Sequence, residues 1–248
     1  MLLAAPYHLA ERLPDLPLAA DLTLELPPPT DAGWAGLLPL HTRIADAVPV
    51  AHPDEALIVA SGDCTTALGV LAGLRRRGTD PSVVWFDAHG DFNTPATTPS
   101  GYLGGMPLAL ACGHGDVAVL HRLGLAPLDE ARVVLVGARD VDPGEERLLA
   151  ASRVRRVAVE QLDAALLPPG PVYLHVDLDV LAEAAAPGLR FRFPAAGGPD
   201  RAALLAAIRR VAASTHLAAV GLACTWDPQR SAARAGAALA GDILAAVR

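Results

Sequence analysis

The sequence predicts an α/β protein built as three α/β/α layers, with helices on both sides of a central parallel sheet. Three observations carry that expectation. Short apolar runs alternate with helical stretches along the chain, the order of successive βαβ units. The runs are continuously apolar instead of alternating, as strands covered on both faces are. Clusters of carboxylates follow directly on the ends of several runs, where parallel sheets present their ligand sites.

Taken in order, the first strand is expected over Leu57–Ser61, followed by Gly62-Asp63-Cys64 and a helix over Thr65–Arg77. A second strand, Val83–Asp87, opens into the polar stretch Asp87 to Asp91. A third covers Val133–Ala138, with a helix over Gly144–Ser152 behind it. The fourth, Val172–Asp179, ends on two aspartates. A helix over Asp200–Ala213 leads to the fifth strand, Ala218–Trp226, which ends in Thr225 to Asp227, and a helix over Ser231–Val247 closes the chain. The stretches from Pro27 to Gly33 and from Pro194 to Pro199 read as loops too short for linkers. Residues 1–248 are therefore expected to form a single domain.

Composition narrows the function. Hydrophobic residues make up 52% and charged residues 19%, a globular balance and not a disordered one. The net charge is −7 and no basic tract occurs, which argues against a nucleic-acid partner. Cys64, Cys112 and Cys224 are widely spaced and odd in number, so neither a disulfide framework nor a CxxC zinc pattern is present and the cytoplasm is the expected compartment. The N-terminus has no leader-like apolar run, and no stretch approaches the ~18 apolar residues of a membrane span. The expected state is a monomer or small homo-oligomer, left open between the two.

The chemistry concentrates at two strand ends. Trp85-Phe86-Asp87-Ala88-His89-Gly90-Asp91 is an apolar run into D-x-H-x-D, and Val176-Asp177-Leu178-Asp179 supplies two more carboxylates at alternate positions. Carboxylate and imidazole groups so spaced converge on a metal such as manganese, and carboxylates can bridge two ions. Four aspartates crowded together repel one another unless cations are bound. A lone D-x-D at a strand end is more often a helix cap or a turn. Both motifs together, each closing an apolar strand, point to a metal site.

At these residues the sequence resembles the arginase and agmatinase (ureohydrolase) family. FDAHGDFNTPATTPSGYLGG is similar to that family's metal-and-substrate segment, SGDCTTALG to its GGDHSxxxG segment and HVDLDVL to its DVDxxDP-type segment, while GARDVDPGEE resembles the arginase stretch RDVDPGE. The resemblance runs from Gly62 to Pro228. It implies an arginase-like fold and two Mn2+ ions held by Cys64, Asp87, His89, Asp91, Asp177 and Asp179, with Asp87 and Asp177 bridging. It also implies a hydrolase of linear amidines: hydroxide attacks the guanidino carbon, and Asp91, the catalytic residue, relays a proton to the leaving amine. Asn93 and Ser100 fall where the family binds the substrate α-carboxylate, and Asp142 where arginases meet the α-amino group. The implied partner is thus a small guanidino amino acid.

Three departures from the family pattern refine this. Cys64 stands for the first histidine ligand, Gly104 for a proton-shuttling histidine next to Tyr102 (usually Asn), and Thr225 for the glutamate that pairs with guanidinium. Tyr102 and Thr225 are accordingly expected in the substrate pocket. A thiolate is softer than imidazole and draws Zn, Fe or Co more strongly. Permanently charged arginine loses its counter-ion at Thr225. The pattern is similar to the branch acting on Nω-hydroxy-L-arginine in antibiotic biosynthesis, whose members share the Cys and Tyr. A weakly basic N-hydroxyguanidine can bind neutral, giving L-ornithine and hydroxyurea. Hydrolysis of arginine or another guanidino compound remains an alternative, as does an inactive binding protein on the same fold.

The other polar residues draw plainer expectations. His114, His121 and His216 read as surface residues and Cys112 as a buried small one. His175 reads as packed core or as support behind the ligands, and Asp63 as an acceptor of local hydrogen bonds behind Cys64.

Overall fold

The computed structural model describes residues 1–14, 18–27, 31, 33–48, 57–223 and 233–247. Ten strands are present among them: β1 (Leu2–Ala5), β2 (Tyr7–His8), β3 (Glu11–Arg12), β4 (Leu22–Thr23), β5 (Leu57–Ser61), β6 (Ser82–Phe86), β7 (Val133–Val136), β8 (Arg155–Val157), β9 (Pro171–Asp177) and β10 (His216–Ala223). Eight form one sheet in the order β4-β1-β5-β10-β9-β6-β7-β8. Every neighbouring pair in it is parallel. Strands β2 and β3 make a small antiparallel hairpin beside it.

Alternate residues of one strand enter opposite layers, which is why the runs are apolar throughout. Leu57 and Val59 face one core and Ile58 and Ala60 the other. The first core is closed by α1 (Trp34–Ala47), α2 (Ala67–Arg76), α3 (Pro107–Ala111) and α4 (Ala118–Leu123), with Leu149 of α5 (Pro143–Ala151) at its edge. The second is closed by α6 (Arg201–Ser214) and α7 (Ala233–Ala246). The three-layer expectation holds.

Element ends differ where local chemistry intervenes. The third strand stops at Val136, short of the expected Ala138, because Gly137 turns with φ +93°, where a Cβ would also stand 2.7 Å from Val180 Cγ2. The fourth strand stops at Asp177, short of Asp179, because the Asp177 carboxylate accepts the Asp179 N–H and caps a 3-10 turn over Leu178–Val180. Asp200 precedes α6 as its N-cap, accepting from Ala203 N at 2.8 Å. The helix expected over Thr65–Arg77 opens as a 3-10 turn, Cys64–Thr66. The fifth strand begins at His216, and its expected end at Trp226 lies outside the described residues, as does Ser231.

Candidate metal centre

Strands β5, β10, β9 and β6 are consecutive in the sheet, so their carboxyl ends meet although they are far apart in sequence. After β5 the chain passes so close to the N-terminal hairpin that Gly62 N donates to Tyr7 O at 2.9 Å, and a Cβ on Gly62 would lie 2.5 Å from that oxygen. Asp63 then accepts from Thr65 N, Thr65 Oγ1 and Leu9 N at 2.7, 2.5 and 2.5 Å, locking the turn that presents Cys64. The local role expected of Asp63 is there, with Leu9 added from across the fold.

Two groups of potential ligands result, Cys64 with Asp87 and Asp91, and Asp87 with His89 and Asp179, each with ligand atoms within 4.8 Å of one another. Asp87 belongs to both. Asp177 belongs to neither group but adjoins the first: Cys64 Sγ lies 2.9 Å from Asp177 Oδ2 and 3.8 Å from Asp87 Oδ2. His89 Nδ1 is 3.0 Å from Asp179 and 3.3 Å from Asp87. The carboxylates are aimed from behind. Asp87 accepts from Trp85 Nε1 (3.1 Å) and His89 N (2.8 Å), Asp177 from Asp179 N (2.8 Å), and Asp179 from Ala88 N (3.1 Å). Asp91 holds φ +48°, a left-handed conformation unusual for a residue with a Cβ, costing on the order of 1 kcal/mol. Its carbonyl is fixed there by Leu108 N and Ala109 N, at 3.0 and 3.1 Å.

The electrostatics are those of an acidic nest short of positive charge. Two carboxylates at such spacings repel by about 3–4 kcal/mol at an effective dielectric of about 20. Burial, and then the charges of Asp87 and Asp177, push the Asp91 carboxyl well above the usual range. Burial with Asp179 and Asp87 does the same to Asp177, and burial with Asp87 raises Asp179 to about 6. Burial and the neighbouring aspartates push the Cys64 thiol up. For His89, burial opposes the charge, but hydrogen bonds to Asp179 and Asp87 win and raise it to about 12. Asp87 is held low by His89 against the effect of its burial.

This donor set fits divalent metal. His89 Nε2 and Asp91 Oδ2 are buried and have no hydrogen-bond partner among the described residues, so two members of the set carry unsatisfied polar atoms there. Bound cations would reverse the repulsion among the carboxylates. The set is mostly carboxylate and imidazole, which suits Mn, with one softer thiol.

The centre lies in a cavity of about 220 Å³ that also takes in Asn93, Ser100, Tyr102, Gly104 and Asp142. Asn93 is buried and donates through Nδ2 to Asp142 Oδ2 at 2.9 Å, while its Oδ1 accepts from Thr97 Oγ1 at 3.0 Å. Ser100 is exposed, and its Oγ accepts from Tyr102 N at 3.2 Å. The ring of Tyr102 covers Gly104 so closely that a Cβ there would be 2.3 Å from ring carbons, which links two of the departures physically. Thr225 lies outside the described residues.

Other placements follow the plain readings or amend them. His175 is buried, stacked on Trp85 at 3.7 Å and bonded through Nδ1 to Tyr173 OH at 2.9 Å, directly behind Asp87. His121 and His216 are exposed, and His114 pairs with Glu130 at 2.8 Å. Cys112 is only half-buried, because it caps the exposed end of the short α3. Sequence reasoning missed His8, Glu145, Arg190, Arg192 and Phe193, all of which line the cavity. Glu145 accepts from Phe92 N (2.7 Å) and Asp142 N (3.2 Å), and burial raises its carboxyl to about 7. The DPGE spelling signalled it as a capping box; His8 and Arg192 carried no signal.

Comparison with known proteins bears on this arrangement. Residues 19–246 match the family model described as Arginase family. An N(omega)-hydroxy-L-arginine amidinohydrolase of Streptomyces lavendulae is 37% identical over 169 residues, 64% of this chain and 60% of that protein. An arginase of Bacillus subtilis (strain 168) is 37% identical over 146 residues, 53% of this chain and 49% of that protein. The chain thus spans about half to three-fifths of these two curated relatives. The crystal structure of arginase from Bacillus caldovelox superposes with a TM-score of 0.80 at 25% identity, covering 92% of this chain and 83% of that one.

Proposed function

The chain belongs to the arginase family, and from that premise we propose that residues 1–248 form one arginase-like domain, a binuclear-metal amidinohydrolase cleaving the guanidino C–N bond of Nω-hydroxy-L-arginine. The observation that carries the proposal is Asp87, shared between two ligand groups at the ends of β5, β6 and β9. Cys64, Asp87, His89, Asp91, Asp177 and Asp179 would hold two ions, with Asp87 and Asp177 common to both. When bound, such a pair lowers the pKa of water and stabilises charge developing at the guanidino group.

The chain's own residues then do the following. Asp91, whose Oδ2 has no partner among the described residues, takes up a proton at that oxygen and passes it to the departing amine. Asp142 meets the α-amino group of the substrate, and Asn93, bonded to it, stands on the side of the α-carboxylate. Tyr102 fills the space over Gly104, leaving no room for a shuttle side chain there and keeping water from that wall. Hydroxyarginine is favoured over arginine because its weakly basic head needs no counter-ion at Thr225. The name of the Streptomyces relative supports the same substrate. The setting proposed is the cytoplasm; among the described residues no helix is long and apolar enough to cross a membrane.

The test is a metal analysis after Mn saturation and dialysis, with ornithine release from hydroxyarginine, arginine and agmatine-like compounds. Two ions per chain and a kcat/KM ratio of about a hundredfold or more for hydroxyarginine over arginine, roughly 2.7 kcal/mol, are expected. Equal turnover of both would leave a plain arginase, and no turnover of any would leave a binding protein.

A further inference from the structure

Three segments distant in sequence meet at the mouth of the cavity, and none of them is a metal-ligand candidate. His8 ends β2, Tyr102 follows the Thr98–Gly101 loop, and Arg192 stands in the loop before α6. His8 Nδ1 lies 3.0 Å from Gly62 O. A carbonyl only accepts, so Nδ1 carries the proton and Nε2 is left as an acceptor. Two donors address that Nε2: Arg192 Nη1 at 2.6 Å and the Tyr102 hydroxyl at 3.2 Å. The Arg192 guanidinium carbon also lies over the Tyr102 ring, 5.4 Å from its centroid.

An exposed arginine is ordinarily a solvated surface charge. Arg192 differs in being held from two sides while its remaining N–H groups stay accessible. A guanidinium has five N–H donors, and no carboxylate pairs with Arg192 among the described residues. Carboxylates dominate the other charged groups of the cavity wall, and among the described residues its arginines are Arg190 and Arg192. The field across the cavity therefore runs from an acidic floor to a cationic rim. Asn93 gives one amide N–H to Asp142 and its oxygen to Thr97, and Ser100 Oγ accepts the Tyr102 N–H, so what these neutral groups can still offer a substrate carboxylate is one amide N–H and one hydroxyl, without charge.

We infer that Arg192, set by His8 and Tyr102, is a specificity-determining anion receptor that takes the carboxylate of a guanidino amino acid while its amidine end faces the acidic floor. The planar fork suits a carboxylate, and a lysine at the same place would supply charge without the two-point geometry. The inference rests on the amidinohydrolase reading only for the identity of the substrate's other end.

The test uses ligand binding to the Mn-saturated full chain, measured by calorimetry, so that it does not depend on turnover. The probes are L-ornithine and putrescine, which differ by the carboxylate. Arg192→Gln should weaken ornithine roughly tenfold to a hundredfold and leave putrescine within about twofold, with Arg192→Lys falling between. In turnover the same variant should raise KM for carboxylate-bearing substrates and spare decarboxylated ones. Unchanged ornithine affinity in Arg192→Gln, equal weakening of both probes, or no ornithine binding by the wild-type chain overturns the receptor. Loss of ornithine binding in Arg192→Gln together with no hydrolysis by the wild-type chain keeps the receptor and overturns the hydrolase reading instead.

Discussion

Gly104 and Tyr102 offer the sharpest test of how the site is built, because their side chains compete for one volume. A Cβ at position 104 would lie 2.3 Å from Tyr102 Cε1 and Cζ and 2.4 Å from its hydroxyl oxygen. Gly104→Ala must therefore push the ring aside. Leaving its place, the ring gives up the hydroxyl bond to His8 and the Arg192 cation–π contact. These are worth roughly 0.5–1.5 and 0.5–1 kcal/mol, so Gly104→Ala should cost about 1–2.5 kcal/mol. In a Tyr102→Ala background the clash is gone and the same substitution should cost little. Urea unfolding of wild type, both single variants and the double variant measures the coupling, expected at about 1–2 kcal/mol. Costs that add to within about 0.3 kcal/mol would refute the idea that the tyrosine and the glycine are one paired substitution.

Other outcomes follow from the same geometry. Asp177→Asn removes a carboxylate facing both Cys64 and the Asp179 backbone, so it should lower bound Mn below two per chain and abolish hydrolysis; full metal content would show that Asp177 does not bridge. Glu145 binds its proton more tightly folded (about 7) than at its ordinary value of 4.5, so its contribution is present below about 4.5 and lost as pH rises through about 7, at most about 3 kcal/mol. Glu145→Gln should therefore flatten the unfolding free energy between about pH 4.5 and 7, and an unaltered slope would assign that dependence to other groups. Asp142→Ala should raise KM for α-amino substrates about tenfold or more and leave those without the amine unchanged, beyond a stability cost of about 1 kcal/mol from the lost N-cap; equal losses on both would make Asp142 purely structural.

The interior strands and the cluster of candidate metal ligands were legible in the sequence because they depend on local pattern. A strand covered on both faces must be apolar at every position, so Leu57–Ser61 stands out and is a strand to the residue. Aspartates and a histidine at alternate positions just past such a run have one direction in which to project, and Asp87, His89, Asp91 and Asp179 project there, with Asp177 beside Cys64. Other elements carried no comparable signal. Strands β4 and β8, at the edges of the sheet, are short and partly exposed, and α1 contains Pro39, which reads as a breaker yet sits inside the helix. Sheet order decided the rest. Cys64 reaches Asp177 across 113 residues because β5 and β9 lie two places apart in one sheet with only β10 between them, a relation that pairing chooses and periodicity does not encode. His8 and Arg192 are separated by 184 residues, one in a two-residue strand and the other in a loop, and neither spelling distinguishes them from surface residues. Only the folded chain, by closing the N-terminal hairpin over Gly62 and bringing the late loop across Tyr102, turns an ordinary histidine and an ordinary arginine into the rim of a site.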